Sequence, residues 1–422
     1  MKVTVAPQPL SGTLAGIPSK SAAHRLLLGA ALSRGPSRLC APVFSQDIAA
    51  TVRCLSALCA QIEPDGTGCA ITPVQRPDRC ILDCGESGST YRFLAPVACA
   101  LGKRASFALS GKLPQRPMDA LWDVLQAHGA RIRGRGTACV EAAGPISAGT
   151  YRLAGNISSQ FFTGLLYALP LLPQDSRLMI DGPLQSKGYL DMTLQTLRAF
   201  HIHIRPEESG FFIPGGQEYR PPERLIPEGD WSNAAFWLCA GAVGGSGITI
   251  TGLKPDSAQA DRSVCQLLRR FGAQVEQEGD AAHVSPSVLR PIEVDGTDIP
   301  DLIPALAIVA AGAEGDTVFR HVSRLRLKES DRVAAICQTL RALGGSAEAG
   351  EDALIVHGTG SLRGGAADAW GDHRIAMLAA AASVLCHEPV TITGAQAVAK
   401  SYPQFFEHLA ALGGSVWKED AP

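Results

Sequence analysis

LSALCAQI (55–62), LQAHGARI (125–132), LRAFHIHI (197–204), LRRFGAQV (268–275), LRALGGSA (340–347) and LAALGGSV (409–416) are six versions of one phrase. Each closes a helix-like run and leads into a short alternation of apolar and polar residues that reads as a strand. Successive phrases begin 70, 72, 71, 72 and 69 residues apart, so six units of that length tile all 422 positions. An internal repeat therefore organises the whole chain.

Working outward from the phrase, every unit holds an earlier helix as well. The starts are Ser19-Lys20-Ser21, Gly88-Ser89-Thr90, Ser158-Ser159-Gln160, Trp231-Ser232-Asn233, Pro300-Asp301-Leu302 and Gly371-Asp372-His373-Arg374, each followed by an apolar, Ala/Leu-rich run. Short oxygen side chains at these points can accept from the unpaired N–H groups of a first turn. The helix that ends in the repeated phrase opens at 45–47, 115–117, 186–188, 256–258, 328–331 and 400–403. The unit is thus predicted to be an α/β module of two helices and several strands. A chain this long exceeds one core. Six units divide into two sets of three, with the Pro/Gly/Glu-rich stretch 215–229 as the main link. The segment 7–16 is a second crossing if the N-terminal strand belongs with the later half.

Hydrophobic residues make up 46% of the chain, yet Gly, Pro or charge breaks every apolar run before the roughly 20 residues a membrane-spanning helix needs. Met1-Lys2-Val3-Thr4-Val5 reads as a strand and lacks the charged-then-apolar layout of a signal peptide. Twelve cysteines occur without a CxxC pair or a Cys/His metal spacing, so they read as small core residues of a reducing compartment. A cytoplasmic monomer without metal or cofactor is expected. The net charge of −2 gives no reason to expect nucleic acid or an anionic membrane as partner.

The placement of charge says more. Nine lysines stand against 29 arginines, and four of the nine, Lys20, Lys187, Lys328 and Lys400, fall in helix-start turns. Arg25, Arg92, Arg116, Arg332 and Arg374 lie in or just after the same turns. Cations are common on helix surfaces, but near an N-terminus they oppose the helix dipole, at a few tenths of a kcal/mol each. Repetition of that cost points to a compensating anion. Helix N-termini already offer N–H donors and partial positive charge, so several of them together with Lys and Arg make a site for phosphate- or carboxylate-bearing small molecules. The phrase around Lys20 is not a nucleotide P-loop, because no glycine directly precedes the lysine.

Two acids stand among these cations. Asp301 could simply cap a helix and Glu329 could simply sit in a first turn. Lys328-Glu329-Ser330-Asp331-Arg332, however, packs acid, base and hydroxyl into one turn, as expected where protons move to and from a bound anion.

The phrases Gly16-Ile-Pro-Ser-Lys-Ser-Ala-Ala-His-Arg25, Gly155-Asn-Ile-Ser-Ser-Gln-Phe161, Leu327-Lys-Glu-Ser-Asp-Arg332, Gly371-Asp-His-Arg374 and Ala399-Lys-Ser-Tyr-Pro403 closely resemble the 5-enolpyruvylshikimate-3-phosphate synthase family. These enzymes are also called 3-phosphoshikimate 1-carboxyvinyltransferases. The resemblance runs in order over essentially the whole chain. It implies an α/β fold of two similar domains, each of three βαβαββ units, with helix N-termini facing an interdomain cleft that holds the active site. The expected division is 16–222 against 1–15 plus 223–422.

The resemblance also implies the reaction and the site. Phosphoenolpyruvate and shikimate 3-phosphate are the implied substrates of an enzyme of chorismate and aromatic amino-acid biosynthesis, the target of the phosphonate glyphosate. Shikimate 3-phosphate would meet Lys20, Ser21, Arg25, Ser158, Ser159, Ser186, Tyr189, Asp301, Arg324 and Lys328. Phosphoenolpyruvate would meet Lys20, Gly88, Arg116, Gln160, Arg332, Arg374 and Lys400. Asp301 would accept the 5-hydroxyl proton, Glu329 would protonate C3, and Lys20 would share acid/base and charge-stabilising duty. Three positions depart from the family pattern: Arg324 where some relatives have asparagine, Phe93 where many have proline, and Glu86 in place of a neutral residue.

Two other readings stand beside this one. Enolpyruvyl transfer to UDP-N-acetylglucosamine would be marked by Lys-Asn in place of Lys20-Ser21 and by a reactive cysteine near 114–117, and neither occurs. A non-catalytic repeat protein would be marked by loss of Lys20, Asp301 or Glu329, and all three are present.

Overall fold

A computed structural model describes residues 1–41 and 44–419. The chain divides into two compact units, Lys20–Pro227 and Met1–Ser19 with Glu228–Pro422. Each closes around its own apolar core.

The unit Lys20–Pro227 carries helices α1 (Lys20–Ala31), α2 (Gln46–Leu58), α3 (Gly88–Ala100), α4 (Asp119–Ala127), α5 (Ser159–Ala168) and α6 (Lys187–Ala199). The other carries α7 (Trp231–Val243), α8 (Val264–Phe271), α9 (Ile303–Gly312), α10 (Arg332–Ala342), α11 (His373–Ala381) and α12 (Phe405–Ala411). Among the described residues, six four-stranded sheets complete the fold, three in each unit.

One sheet shows the pattern of all six. Its strands lie in the order Arg79–Gly85, Arg104–Leu109, Cys139–Ala143 and Arg131–Arg133, with the first pair parallel and the other two pairs antiparallel. A parallel pair needs a long crossover, and α3 supplies it. α4 follows the second strand, and a hairpin closes the unit, which gives βαβαββ. The strand Arg104–Leu109 alternates exposed or half-buried with buried residues, so one face of its sheet seals the core and the other meets water.

Two strands are supplied from a distance. Ser11–Ala15 pairs in parallel with Gly247–Thr251, and Lys2–Val5 lies antiparallel between Val390–Thr393 and Val416–Glu419. Both belong to the unit that also holds Glu228–Pro422. In the reverse sense, Arg224 and Leu225 pair with Arg38 and Leu39. That pairing keeps them in the first unit and puts the division at 227/228, five residues beyond the expected 222/223.

The predicted helix starts fall at helix N-termini. Ser87, Ser158, Asp230 and Asp372 cap α3, α5, α7 and α11 by accepting an N–H two or three residues on. Asp301 differs: Leu302 holds the N-cap position of α9 without a side-chain hydrogen bond. The second helix of the fourth unit also begins later than 256–258, because a short 3-10 turn, Ala260–Ser263, precedes α8. Helices α3 and α5 meet at Gly164, where a Cβ would lie 2.4 Å from the carbonyl oxygen of Arg92. The missing side chain is what lets the two backbones approach.

Candidate active site

In the unit holding Glu228–Pro422, the guanidinium of Arg332 is the centre of a charge cluster. It is the first residue of α10 and only 1% of its side chain is exposed. Its Nη1 donates to Asp301 Oδ1 at 2.7 Å, its Nη2 to Glu329 Oε2 at 2.8 Å, and its Nε to Asp372 Oδ2 at 2.8 Å, with a weaker Nη2 bond to Asp372 Oδ1 at 3.3 Å. Burial alone would lower the arginine's pKa, but Asp372, Glu329 and Asp301 together more than reverse it and raise it. Four of the five donors of Arg332 are therefore used inside the protein. The family resemblance implies a phosphoenolpyruvate contact for Arg332; in the structure its guanidinium also binds both Asp301 and Glu329.

The local sequence accounts for this arrangement. Asp331 caps α10 by accepting from the Ala334 N–H at 3.0 Å and binds Arg326, which leaves Glu329 and Arg332 on the inner side of the turn. Asp372 caps α11 through the Arg374 N–H at 2.9 Å and also accepts from Ser330 Oγ at 3.0 Å.

Further cations surround Asp301. Arg374 Nε lies 3.3 Å and Lys328 Nζ 3.8 Å from its Oδ1. Arg374 Nη1 donates to the Asp301 carbonyl at 3.1 Å, and Lys400 Nζ to the Gly371 carbonyl at 3.3 Å. Burial lowers the Lys328 ammonium to about 8; Asp301 opposes this, and Arg332 and Arg324 add to it. Arg324, in the 3-10 turn before Lys328, thus acts on it electrostatically.

In the unit Lys20–Pro227, Lys20 opens α1 and its Nζ pairs with Asp47 Oδ2 at 2.9 Å. Arg25, one turn on, is buried and donates to Thr193 Oγ1, the Ser21 carbonyl, Thr163 Oγ1 and the Tyr189 carbonyl at 2.9, 2.7, 3.3 and 2.9 Å. Its guanidinium also lies over the rings of Phe93 and Tyr189, at 5.4 and 5.9 Å from their centroids. Burial lowers its pKa to about 10. One Nη1 hydrogen remains for a ligand.

Gly88 begins α3. A Cβ there would stand 2.8 Å from Arg92 Nη1 and 2.9 Å from Arg116 Nη1, so two guanidiniums flank the helix terminus in the space glycine leaves. Arg92 donates to Gln160 Oε1 at 2.8 Å and to the Pro117 carbonyl at 3.1 Å, while Gln160 Nε2 donates to Ser89 Oγ at 2.9 Å. This ties the start of α5 to the start of α3. Ser158 caps α5, Ser159 follows it, and Ser186 stands at the start of α6 with a left-handed φ of 58°. The Glu86 carboxylate fills the space a side chain on Gly111 would take.

The sequence reading did not single out Asp47, Asp261 or the chain His24–Thr51–Thr90–Ser87. Asp47 follows Ser45-Gln46 at the start of α2, the second helix of the unit that Lys20 opens. Pairing the two starts of one unit would have found it. Asp261 accepts from Ser232, and burial first, then Asp301, raises its pKa to about 7 against the pull of Arg374. No motif marks it. His24 Nδ1, Thr51 Oγ1, Thr90 Oγ1 and Ser87 Oγ are linked at 2.7, 2.6 and 2.7 Å, and burial holds the imidazole pKa well below its usual value, with Lys20 and Arg25 adding to the effect. Among the described residues, no group of three or more His, Cys, Asp or Glu is arranged to hold a metal ion.

A family model of EPSP synthase (3-phosphoshikimate 1-carboxyvinyltransferase) matches residues 5–409. The chain belongs to the EPSP synthase family. Among relatives in that family, the 3-phosphoshikimate 1-carboxyvinyltransferase of Clostridium kluyveri is 40% identical over 421 residues, covering 98% of each chain. That of Clostridioides difficile is 38% identical over 426 residues, covering 97% of each. A solved structure of EPSP synthase from Acinetobacter baumannii superposes with a TM-score of 0.82 at 25% identity, over 99% of this chain and 100% of that one. The enolpyruvyl transferase NikO from Streptomyces tendae shares the fold, with a TM-score of 0.79 at 19% identity over 100% of this chain and 99% of that one.

Proposed function

We infer that this protein transfers the enolpyruvyl group of phosphoenolpyruvate to the 5-hydroxyl of shikimate 3-phosphate and releases phosphate. Family membership over residues 5–409 carries that reading, and it makes the chain a transferase of the shikimate pathway. No observation favours UDP-N-acetylglucosamine as acceptor or a non-catalytic role.

The residue roles rest on the geometry around Arg332. Asp301 takes the proton of the 5-hydroxyl as that oxygen bonds to C2 of phosphoenolpyruvate, and Glu329 delivers a proton to C3. C3 then gives up a proton as the bond from C2 to the phosphate oxygen breaks, which restores the double bond. Arg332 fixes the two acids through adjacent nitrogens, so their spacing is set before substrate arrives. Lys20, oriented by Asp47, serves as the shared acid/base and charge stabiliser.

Shikimate 3-phosphate is assigned to Lys20, Ser21, Arg25, Ser158, Ser159, Ser186 and Tyr189 of one unit and to Asp301, Arg324 and Lys328 of the other. Phosphoenolpyruvate is assigned to Lys20, Gly88, Arg116 and Gln160, with Arg374, Lys400 and the remaining Arg332 donor. Among the described residues no helix is long and apolar enough to cross a membrane, in keeping with action in the cytoplasm.

Phosphate release is the test, with both substrates present and with each omitted in turn. Release at background with both present would overturn the assignment. Asp301→Ala is expected to lower turnover by about 10²- to 10⁴-fold while shikimate 3-phosphate still binds. Near-normal turnover would remove Asp301 from the mechanism.

A further inference from the structure

The sheet Arg79–Gly85, Arg104–Leu109, Cys139–Ala143, Arg131–Arg133 turns its outer face to solvent, and that face is hollow. An open groove of about 880 Å³ runs across it, lined by Arg79, Arg104, Arg131 and Arg133 with one acid, Glu141. The volume suits a small molecule.

Strand register shows how the groove is built. Arg79 is the direct partner of Arg104, Arg104 of Ala143, and Ala143 of Arg131, so these four residues form one row across all four strands. At about 4.8 Å between neighbouring strands, Arg104 and Arg131 stand about 10 Å apart with only the methyl of Ala143 between them. Arg79 and Arg104 make one wall, Arg131 and Arg133 the other, and the small residue is the floor.

No acid stands in this row; in the next row Glu141 is the direct partner of Arg133, which leaves three of the four arginines without an acid opposite them. Like charges placed directly opposite each other on neighbouring strands destabilise a sheet. Among the described residues, none of the four arginines makes an ion pair or a side-chain hydrogen bond. All four are exposed. Beside them Ile81 is 72% exposed and lines the same groove, which adds an apolar surface to the cationic one.

The geometry points to this groove as a second anion site, one that takes a small oligophosphate whose phosphate groups span the two arginine walls. Guanidinium forks on both sides bind phosphate oxygens in pairs, and a chain of two or three phosphates offers enough oxygens to engage the four guanidiniums of both walls at once. The oligophosphate is either free or part of a nucleotide, in which case the ring lies over Ile81. The groove is built from the second repeat alone and uses none of the residues assigned to the reaction.

The experiment titrates sodium tripolyphosphate, and separately ATP without magnesium, into the full chain at low salt by calorimetry. The same titrations follow with the double variant Arg79→Ser/Arg131→Ser and with Glu141→Gln. Tripolyphosphate is expected to bind the wild type, to bind the double variant at least about tenfold more weakly, and to bind Glu141→Gln more tightly. Phosphate-release turnover of the double variant should match the wild type, which also shows that it is folded. Tighter binding of ATP than of tripolyphosphate assigns the site to nucleotides, and the reverse order assigns it to free oligophosphate. Unchanged tripolyphosphate affinity in the double variant would overturn the proposal. So would complete displacement by shikimate 3-phosphate, or binding of poly-glutamate with no binding of either phosphate probe.

Discussion

At the scale of single residues, the charges were legible but their partners were not. Lys20, Lys328, Lys400 and the arginines stood out in the sequence because they oppose helix dipoles. Arg332 stood out in the same way, yet its role differs: Asp301 and Asp372, 31 and 40 residues away, join the neighbouring Glu329 on it, and only the fold could show that. Lys328 yields a pH prediction. Its ammonium is lowered to about 8, mainly by burial, so it is charged below that pH and neutral above. If it binds the phosphate of shikimate 3-phosphate, affinity should fall about twofold between pH 7 and 8 and then by up to about tenfold per pH unit. Lys328→Arg stays charged and should show no such fall. Parallel profiles in direct binding titrations would exclude the lysine as the titrating group. Gly88 yields a second prediction. A methyl there meets Arg92 and Arg116 before it meets any ligand, and Arg92 is held by Gln160 and the Pro117 carbonyl. Gly88→Ala should therefore raise the KM for phosphoenolpyruvate several-fold. The inhibition constant for glyphosate, a longer phosphonate, should rise much more. Equal proportional changes in steady-state kinetics would show that the methyl acts only through the arginines.

At the scale of elements, helix starts read well from sequence because capping is local chemistry: Ser87, Ser158 and Asp372 satisfy N–H groups two or three residues away. Pro300-Asp301-Leu302 resembled a cap and was not one, since the pull on Asp301 comes from Arg332, 31 residues on. Contact between helices was illegible altogether. Nothing in Phe161-Phe162-Thr163-Gly164 announces that Gly164 is where α5 touches the backbone of α3. A Cβ placed 2.4 Å from the Arg92 carbonyl cannot be relieved by a rotamer change, so the helices must separate. Gly164→Ala should cost about 1–3 kcal/mol in urea unfolding, and more if the backbones cannot shift. Because α3 and α5 begin at Gly88 and Ser159, the separation should also lengthen the Arg92–Gln160 bond and raise the KM for phosphoenolpyruvate. Unchanged stability together with unchanged KM would show that the contact is slack.

At the scale of the whole molecule, the period of the repeated phrase was enough to predict six modules in two sets, since packing repeats itself wherever the same unit is reused. Where the chain passes from one set to the other was harder to read: Arg224-Leu225 carries no mark that it completes the sheet begun by Ser37–Leu39. The placement of Lys2–Val5 between Val390–Thr393 and Val416–Glu419 has a consequence for the order of events on the ribosome. The first strand made is the last to find its neighbours. Residues 20–227 have every sheet partner by the time Leu225 leaves the exit tunnel, whereas the opening strand waits for nearly 200 further residues, about 10–40 s at typical elongation rates. During that wait its backbone groups are bare and invite a wrong partner or a chaperone. A protease site inserted after Gln8 should be cut readily in chains stalled near residue 350 and resist cutting once Val416–Glu419 has emerged. Resistance at both lengths would mean that the strand is protected before its neighbours exist, and ready cutting at both that Val390–Thr393 and Val416–Glu419 do not shield it.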